Sequence, residues 1–156
     1  MRIFIGYVSM SGNTEDIANI LQDELHAKGC EVVSECLDTV DMEEIITFNG
    51  ILIGSYTWGD GDLPYEAEDF YEELDDLKLD SIPVACFGSG DHAYPKFCAA
   101  VDTFAHKFKS CGAEVYNQTL KMEFGPETNE QELECREFAQ TFYAWVKKTE
   151  GNIHHV

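Results

Sequence analysis

Basic residues are scarce in this chain: ten Lys and Arg stand against thirty Asp and Glu, a formal charge of −20. A surface so poor in cations repels phosphate backbones and anionic bilayers, which argues against nucleic-acid or membrane-surface binding. A protein partner steered by charge has to present a basic face. The deficit is sharpest early, where the first 95 residues hold 21 acids and three bases. Patterned cysteine is missing too. Cys30, Cys36, Cys86, Cys98, Cys111 and Cys135 form no C-x-x-C and no zinc-knuckle or cluster spacing, so they read as core thiols of a reduced protein. No apolar run approaches the roughly 20 residues that span a bilayer. Met1-Arg2 leads directly into an apolar strand, and the expectation is a cytoplasmic protein without leader, anchor or metal.

With 44% apolar and 12% aromatic residues in 156, the chain can bury a core of its own. One domain is expected over residues 1–150, followed by a flexible tail, 151–156, whose His154 and His155 have no companions at ligand spacing. Apolar runs too continuous for a half-wet sheet mark strands at Arg2 to Val8, Glu31 to Leu37, Gly50 to Tyr56 and Ile82 to Phe87. A fifth, less apolar, covers Glu114 to Met122. Between them lie helical stripes: Ile17, Ile20, Leu21 and Leu25; Phe70, Leu74 and Leu77 after Pro64; Phe97, Val101, Phe104, Ala105 and Phe108 after Pro95; and Leu133, Phe138, Phe142 and Trp145 in a last helix over about Asn129 to Lys148. Met42 to Ile46 supports at most a short helix. Strand–helix alternation from end to end predicts an α/β fold, an open parallel sheet with helices on both faces and ligands beyond the carboxyl ends of its strands.

Three loops converge at that edge. Ser9-Met10-Ser11-Gly12-Asn13-Thr14 closes the first strand and opens a helix, where unpaired N–H groups favour an anion, although Ser, Asn and Thr also serve as plain helix caps. It has neither the lysine of G-x-x-x-x-G-K-[ST] nor G-x-G-x-x-G, which leaves a single terminal phosphate as the suitable anion. Thr57-Trp58-Gly59-Asp60-Gly61-Asp62-Leu63-Pro64 and Gly88-Ser89-Gly90-Asp91-His92-Ala93-Tyr94 each hold an aromatic residue among glycines that allow close backbone approach, a pattern suited to a flat ring. No acid, base or nucleophile stands out over a substrate space, so no catalytic residue is assigned, and His92 reads as a modifier of the local field.

Together these loops, with Phe97-Cys98, resemble the three FMN loops of flavodoxin, and the likeness covers essentially the whole chain. The fifth strand lacks a long insertion, as in short-chain flavodoxins. The resemblance implies a three-layer, doubly wound, five-stranded parallel sheet of order 2-1-3-4-5 and a low-potential one-electron carrier with non-covalent FMN. It implies that Ser9, Met10, Ser11, Gly12, Asn13 and Thr14 hold the phosphate, with Met10 where the family usually has a small polar residue. Trp58 and Tyr94 would cover the inner and outer ring faces. Ser55, Tyr56 and Thr57 would approach the ribityl chain, and Gly59, Asp60, Ser89, Gly90, Asp91, Phe97 and Cys98 would line the ring. A Gly59–Asp60 peptide turning its carbonyl toward the flavin would help the first electron, and nearby acids would oppose the second. Implied partners are basic redox proteins such as a flavodoxin reductase and electron-accepting enzymes, met by a monomer through its acidic helix after Pro64. An FMN-dependent quinone or small-molecule reductase and a response-regulator-like module are the alternatives, beside a purely structural or protein-binding domain, which would take up no flavin. The first needs a walled substrate space and the second clustered acids at the first strand's end, where this chain has Ser9.

Overall fold

A computed structural model describes the backbone of residues 1–154 and the side chains of residues 1–150. Element order is β1 (Arg2–Val8), α1 (Asn13–Ala27), β2 (Glu31–Cys36), α2 (Met42–Ile45), β3 (Gly50–Ser55), α3 (Tyr65–Glu73), β4 (Pro83–Gly90), α4 (Ala99–Ser110), β5 (Glu114–Val115), β6 (Leu120–Glu123) and α5 (Asn129–His154). All strand pairs are parallel, in the order β2-β1-β3-β4-β5, with β6 also on β4. The expected order 2-1-3-4-5 is thus present, its fifth position filled by two short segments. Among the described residues, no helix is long and apolar enough to cross a membrane.

Alternation along the strands builds two cores. Ile3 and Ile5 of β1, Leu52 of β3, and Ala85 and Phe87 of β4 face α1 and α5, where Ile17, Leu21, Leu25, Phe138, Phe142 and Val146 are buried. Phe4, Ile51, Ile53, Val84 and Cys86 face the other way, onto Phe70 of α3 and Val101, Phe104 and Phe108 of α4. Each large side chain so enclosed contributes about 1.5–3 kcal/mol. This double burial is why the central strands read as unbroken apolar runs.

Several expected boundaries move. The fifth strand is interrupted: residues 117–119 are exposed, and the flanking segments Glu114–Val115 and Leu120–Glu123 are the ones in strand register with β4. β4 runs three residues past Phe87, since Gly88, Ser89 and Gly90 pair with Lys121, Met122 and Glu123. The helix expected from Pro95 starts at Ala99, after Cys98 turns the chain through a left-handed φ of 53°. Phe97 accordingly lies before α4 rather than on its buried stripe. Leu133 does not anchor α5; it is 54% exposed, and Cys135, Ala139 and Val146 are buried beside Phe138 and Phe142 instead. At about 100° per residue, Leu133 points half a turn away from Phe142. Finally, α5 continues to His154, through the start of the expected tail; His155 and Val156 lie outside the described residues.

All six thiols are free. Burial pushes Cys86 and Cys135 up to about 12 and Cys98 up to about 11, and raises Cys30 as well. Only Cys36 is exposed, with Cys111 half-buried. Since the thiolate is the reactive form, a disulfide reagent at pH 8 is expected to label Cys36 rapidly, Cys111 more slowly, and the other four only on unfolding. Mass spectrometry of timed samples checks this order; rapid labelling of Cys98 would contradict it.

Candidate functional site

The carboxyl ends of β1, β3 and β4 deliver the three loops to one edge. There Ser9, Met10, Ser11, Asn13, Tyr56, Thr57, Ser89, Gly90, Asp91 and Tyr94 line a cavity of about 230 Å³. A larger groove of about 790 Å³ adjoins it across Met10 and Tyr56, and Trp58 stands on that groove with Leu63, Tyr65 and several acids. Trp58 and Tyr94 are 54% and 58% exposed, both held at the surface.

The first loop is built from its own hydroxyls. Ser9 Oγ accepts hydrogen bonds from the N–H groups of Gly12 and Glu15, at 3.1 and 3.3 Å, and so braces the entry to α1. Gly12 has φ 91°, a left-handed turn that leaves the next amides outside the first helical bonds. The N–H groups of Ser11, Asn13 and Thr14 have no protein acceptor among the described residues. The Thr14 side chain plays a different part from the expected one: it is buried, and its Oγ1 lies 2.7 Å from Ser89 Oγ, tying the loop to β4.

In the second loop, Trp58 and Asp62 exchange two backbone hydrogen bonds of 2.9 Å, which folds residues 59–61 into a tip. That fold requires positive φ at Gly59 (53°) and Gly61 (95°). Ser55 is buried and donates to the Tyr56 carbonyl, while Thr57 Oγ1 accepts the Ala100 N–H at 2.9 Å, pinning the loop to α4. Tyr56 donates to Glu66, and burial together with that carboxylate pushes its phenol up to about 12. Close approach at Gly61 is made by the Lys96 stem, at Gly90 by Cys98 and Phe97, and at Gly88 by the Ser55 carbonyl and Val101. Phe97 and Cys98 therefore back the cavity from behind Gly90 and do not line it. Gly12, Thr14, Ser55, Gly59 and Asp60 are likewise outside its lining.

One wall was missed. Phe124, 46% exposed and with φ 57°, lines the cavity, and a side chain on neighbouring Gly125 would strike Asn13 Oδ1. The signal was available in the topology: in a parallel sheet the loop after the fifth strand reaches the same edge as the other three.

The family model for flavodoxin matches residues 5–138. The chain belongs to the flavodoxin family. Its relatives include Probable flavodoxin 1 of Bacillus subtilis (strain 168), 50% identical over 99% of this chain and 98% of that protein. The crystal structure of oxidised Flavodoxin 2 from Bacillus cereus superposes with a TM-score of 0.89 at 46% identity, covering 92% of this chain and 99% of that one. A short-chain flavodoxin associated with a PDU bacterial microcompartment gives 0.88 at 27% identity, over 94% and 99%. Like its family, this flavodoxin is an FMN-dependent one-electron transfer protein that shuttles electrons to redox enzymes.

The donor set fits that cofactor. Three backbone N–H groups without protein partners surround a left-handed glycine at a helix start, with the Ser11 hydroxyl among them, which is the chemistry a phosphate monoester needs. Exposed aromatic rings stand on both sides of the Tyr56–Thr57 wall, where a flat ring can lie.

Proposed function

We propose that residues 9–14 hold the FMN phosphate, that Ser55, Tyr56 and Thr57 follow the ribityl chain, and that Trp58 and Tyr94 enclose the ring on its inner and outer faces. Gly59, Asp60, Ser89, Gly90 and Asp91 would meet its polar edge, with Phe97 and Cys98 supporting them. The observation that carries this reading is the set of free amides at Ser11, Asn13 and Thr14, in a loop whose Ser11 and Asn13 line the cavity that Tyr94 borders. The working unit is a monomer, a single domain of residues 1–150, acting in the cytoplasm.

Bound FMN supplies reversible one-electron chemistry. The chain's part is to bind, orient and bias it. The exposed acids Asp60, Asp62, Glu66 and the half-buried Asp91 surround the site with negative charge and oppose each further negative charge placed there, so the second electron enters at low potential. Gly59, already in the left-handed region, allows its peptide with Asp60 to reorient at small cost. A visible-spectrum redox titration of apoprotein reconstituted with FMN tests the assignment: two well-separated one-electron steps are expected, and protein that acquires no flavin spectrum would overturn it.

Docking follows from charge. Glu66, Glu68, Asp69, Glu72 and Glu73 are all exposed on α3, beside the groove that holds Trp58. Basic redox partners, a flavodoxin reductase among them, are expected to meet this face. Raising the salt from about 0.05 to about 0.5 M contracts the Debye length roughly threefold and should slow reduction by such a reductase about tenfold. Stopped-flow rates independent of salt would remove α3 from the docking surface.

A further inference from the structure

The loop that carries Tyr94 is clamped from an element none of the three FMN loops includes. β6 runs beside the end of β4 with Glu123 opposite Gly90. The Glu123 carboxylate accepts the His92 backbone N–H at 2.9 Å, and the same oxygen lies 2.9 Å from His92 Nδ1. The His92 ring lies flat on Phe97, centroids 3.7 Å apart and 14° from parallel. One residue on, Phe124 donates its N–H to the Gly90 carbonyl at 2.8 Å. Within the loop, Asp91 closes a turn by accepting the Tyr94 N–H on its carbonyl and the Ala93 N–H on its side chain. Residues 90–94 thus hold their shape through bonds at both Gly90 and His92, and Tyr94 follows two residues beyond the second clamp.

From this geometry we infer that Glu123 is a positioning residue for FMN, fixing the Asp91–Tyr94 loop through His92 so that the Tyr94 ring is in place before the cofactor arrives. The inference rests on the reading of Tyr94 as the outer ring cover. Exposure argues against a mainly electrostatic role: the His92 and Glu123 side chains are 63% and 40% exposed, where an ion pair contributes little. Constraint is what two bonds to one residue supply. They remove loop freedom that FMN would otherwise have to freeze, and pre-organisation of this kind appears as slower release. The hydrogen bonds from His92 also hold the Glu123 carboxyl below its usual range, in keeping with a carboxylate engaged at both contacts.

Three variants and one control test it on protein reconstituted with FMN. Glu123→Ala removes both bonds and should speed FMN release about fivefold to tenfold, the scale of one or two ordinary hydrogen bonds. His92→Ala keeps the backbone bond and should fall between Glu123→Ala and wild type. Glu123→Gln retains an acceptor oxygen at the same place and should restore release to within about twofold of wild type. Release is followed by flavin fluorescence, and near-ultraviolet circular dichroism reports the ring's aromatic contacts. Apoprotein unfolding midpoints are measured alongside. Tyr94→Ala is the control. If it speeds release while Glu123→Ala matches wild type, the brace is refuted and the ring assignment stands. If neither changes release, the Tyr94 assignment falls and the brace with it. A lower unfolding midpoint for Glu123→Ala without faster release would reduce Glu123 to a structural role and also overturn the inference.

Discussion

Replacing Gly88 with alanine is expected to cost about 3 kcal/mol of folding stability or more, although the change adds one methyl group to a strand. Gly88 belongs to β4, packed between β3 and the fifth strand position, and an added Cβ would enter the space of the Ser55 carbonyl oxygen while sitting 2.6 Å from Val101 Cγ2. The first obstacle is backbone of the adjacent strand, which has no rotamer by which to retreat. Movement of Ser55 would also disturb Tyr56 and Thr57, whose positions are set by the Ser55 hydroxyl bond and by the Ala100 N–H. FMN affinity should therefore fall with stability. Gly61→Ala is the informative contrast. There the clash is with the Lys96 side chain, which can swing into solvent, so the cost is mainly that of a positive φ without glycine, about 1 kcal/mol. Urea unfolding monitored by circular dichroism checks both. The midpoint of Gly88→Ala should drop strongly at unchanged slope, and equal midpoints for the two variants would disprove the distinction.

Gly88 owes its role to contacts that the linear sequence does not display. The string Gly-Ser-Gly after an apolar run looks like a loop that lets a ligand near. Its neighbours in space, Ser55 and Lys121, lie over thirty residues away, and only the three-dimensional pairing turns these glycines into strand. The same limit explains the divided fifth strand and the late start of α4, since nothing in Pro95-Lys96-Phe97-Cys98 announces a left-handed cysteine. Leu133 is a different kind of miss. Its angle on the helix follows from residue numbers, and phase rather than hydrophobic identity decides which face is buried. Local physics made legible the continuous apolar runs of β1, β3 and β4, the stripe of α1, and the hydroxyl- and glycine-rich turns at residues 9–14 and 57–62, whereas the strand order and the cofactor came with the resemblance to flavodoxin. The site was legible to the extent that its loops follow strands, and Phe124 and Glu123 escaped because the fourth such loop was not counted.

Asn13→Asp separates the two meanings that residues 9–14 have carried from the start. Asn13 is the first residue of α1, lines the cavity, and has a backbone N–H without a protein acceptor. If the stretch were only a helix start, a carboxylate there would favour the helix field by about 0.3–1 kcal/mol and do no harm. If it cradles the FMN phosphate, the same carboxylate faces a dianion held by amide and hydroxyl dipoles, in a loop with no Lys or Arg to offset either charge. Two unit charges about 4 Å apart near a protein surface repel by about 4 kcal/mol, and allowing for salt a loss near 3 kcal/mol is expected, or about a hundredfold in FMN affinity. The substitution is nearly isosteric, so the space beside Gly125 that the Asn13 side chain takes up is filled as before. Riboflavin, which has the ring and ribityl chain but no phosphate, should bind wild type and variant within about twofold of each other. The apoprotein should be as stable as wild type or slightly more so. Fluorescence titration with the two ligands, beside urea unfolding of the apoprotein, gives the three numbers. A variant that loses FMN and riboflavin equally has been damaged in the ring site, whereas one that keeps FMN at wild-type affinity does not hold phosphate at Asn13 and returns the loop to ordinary helix capping.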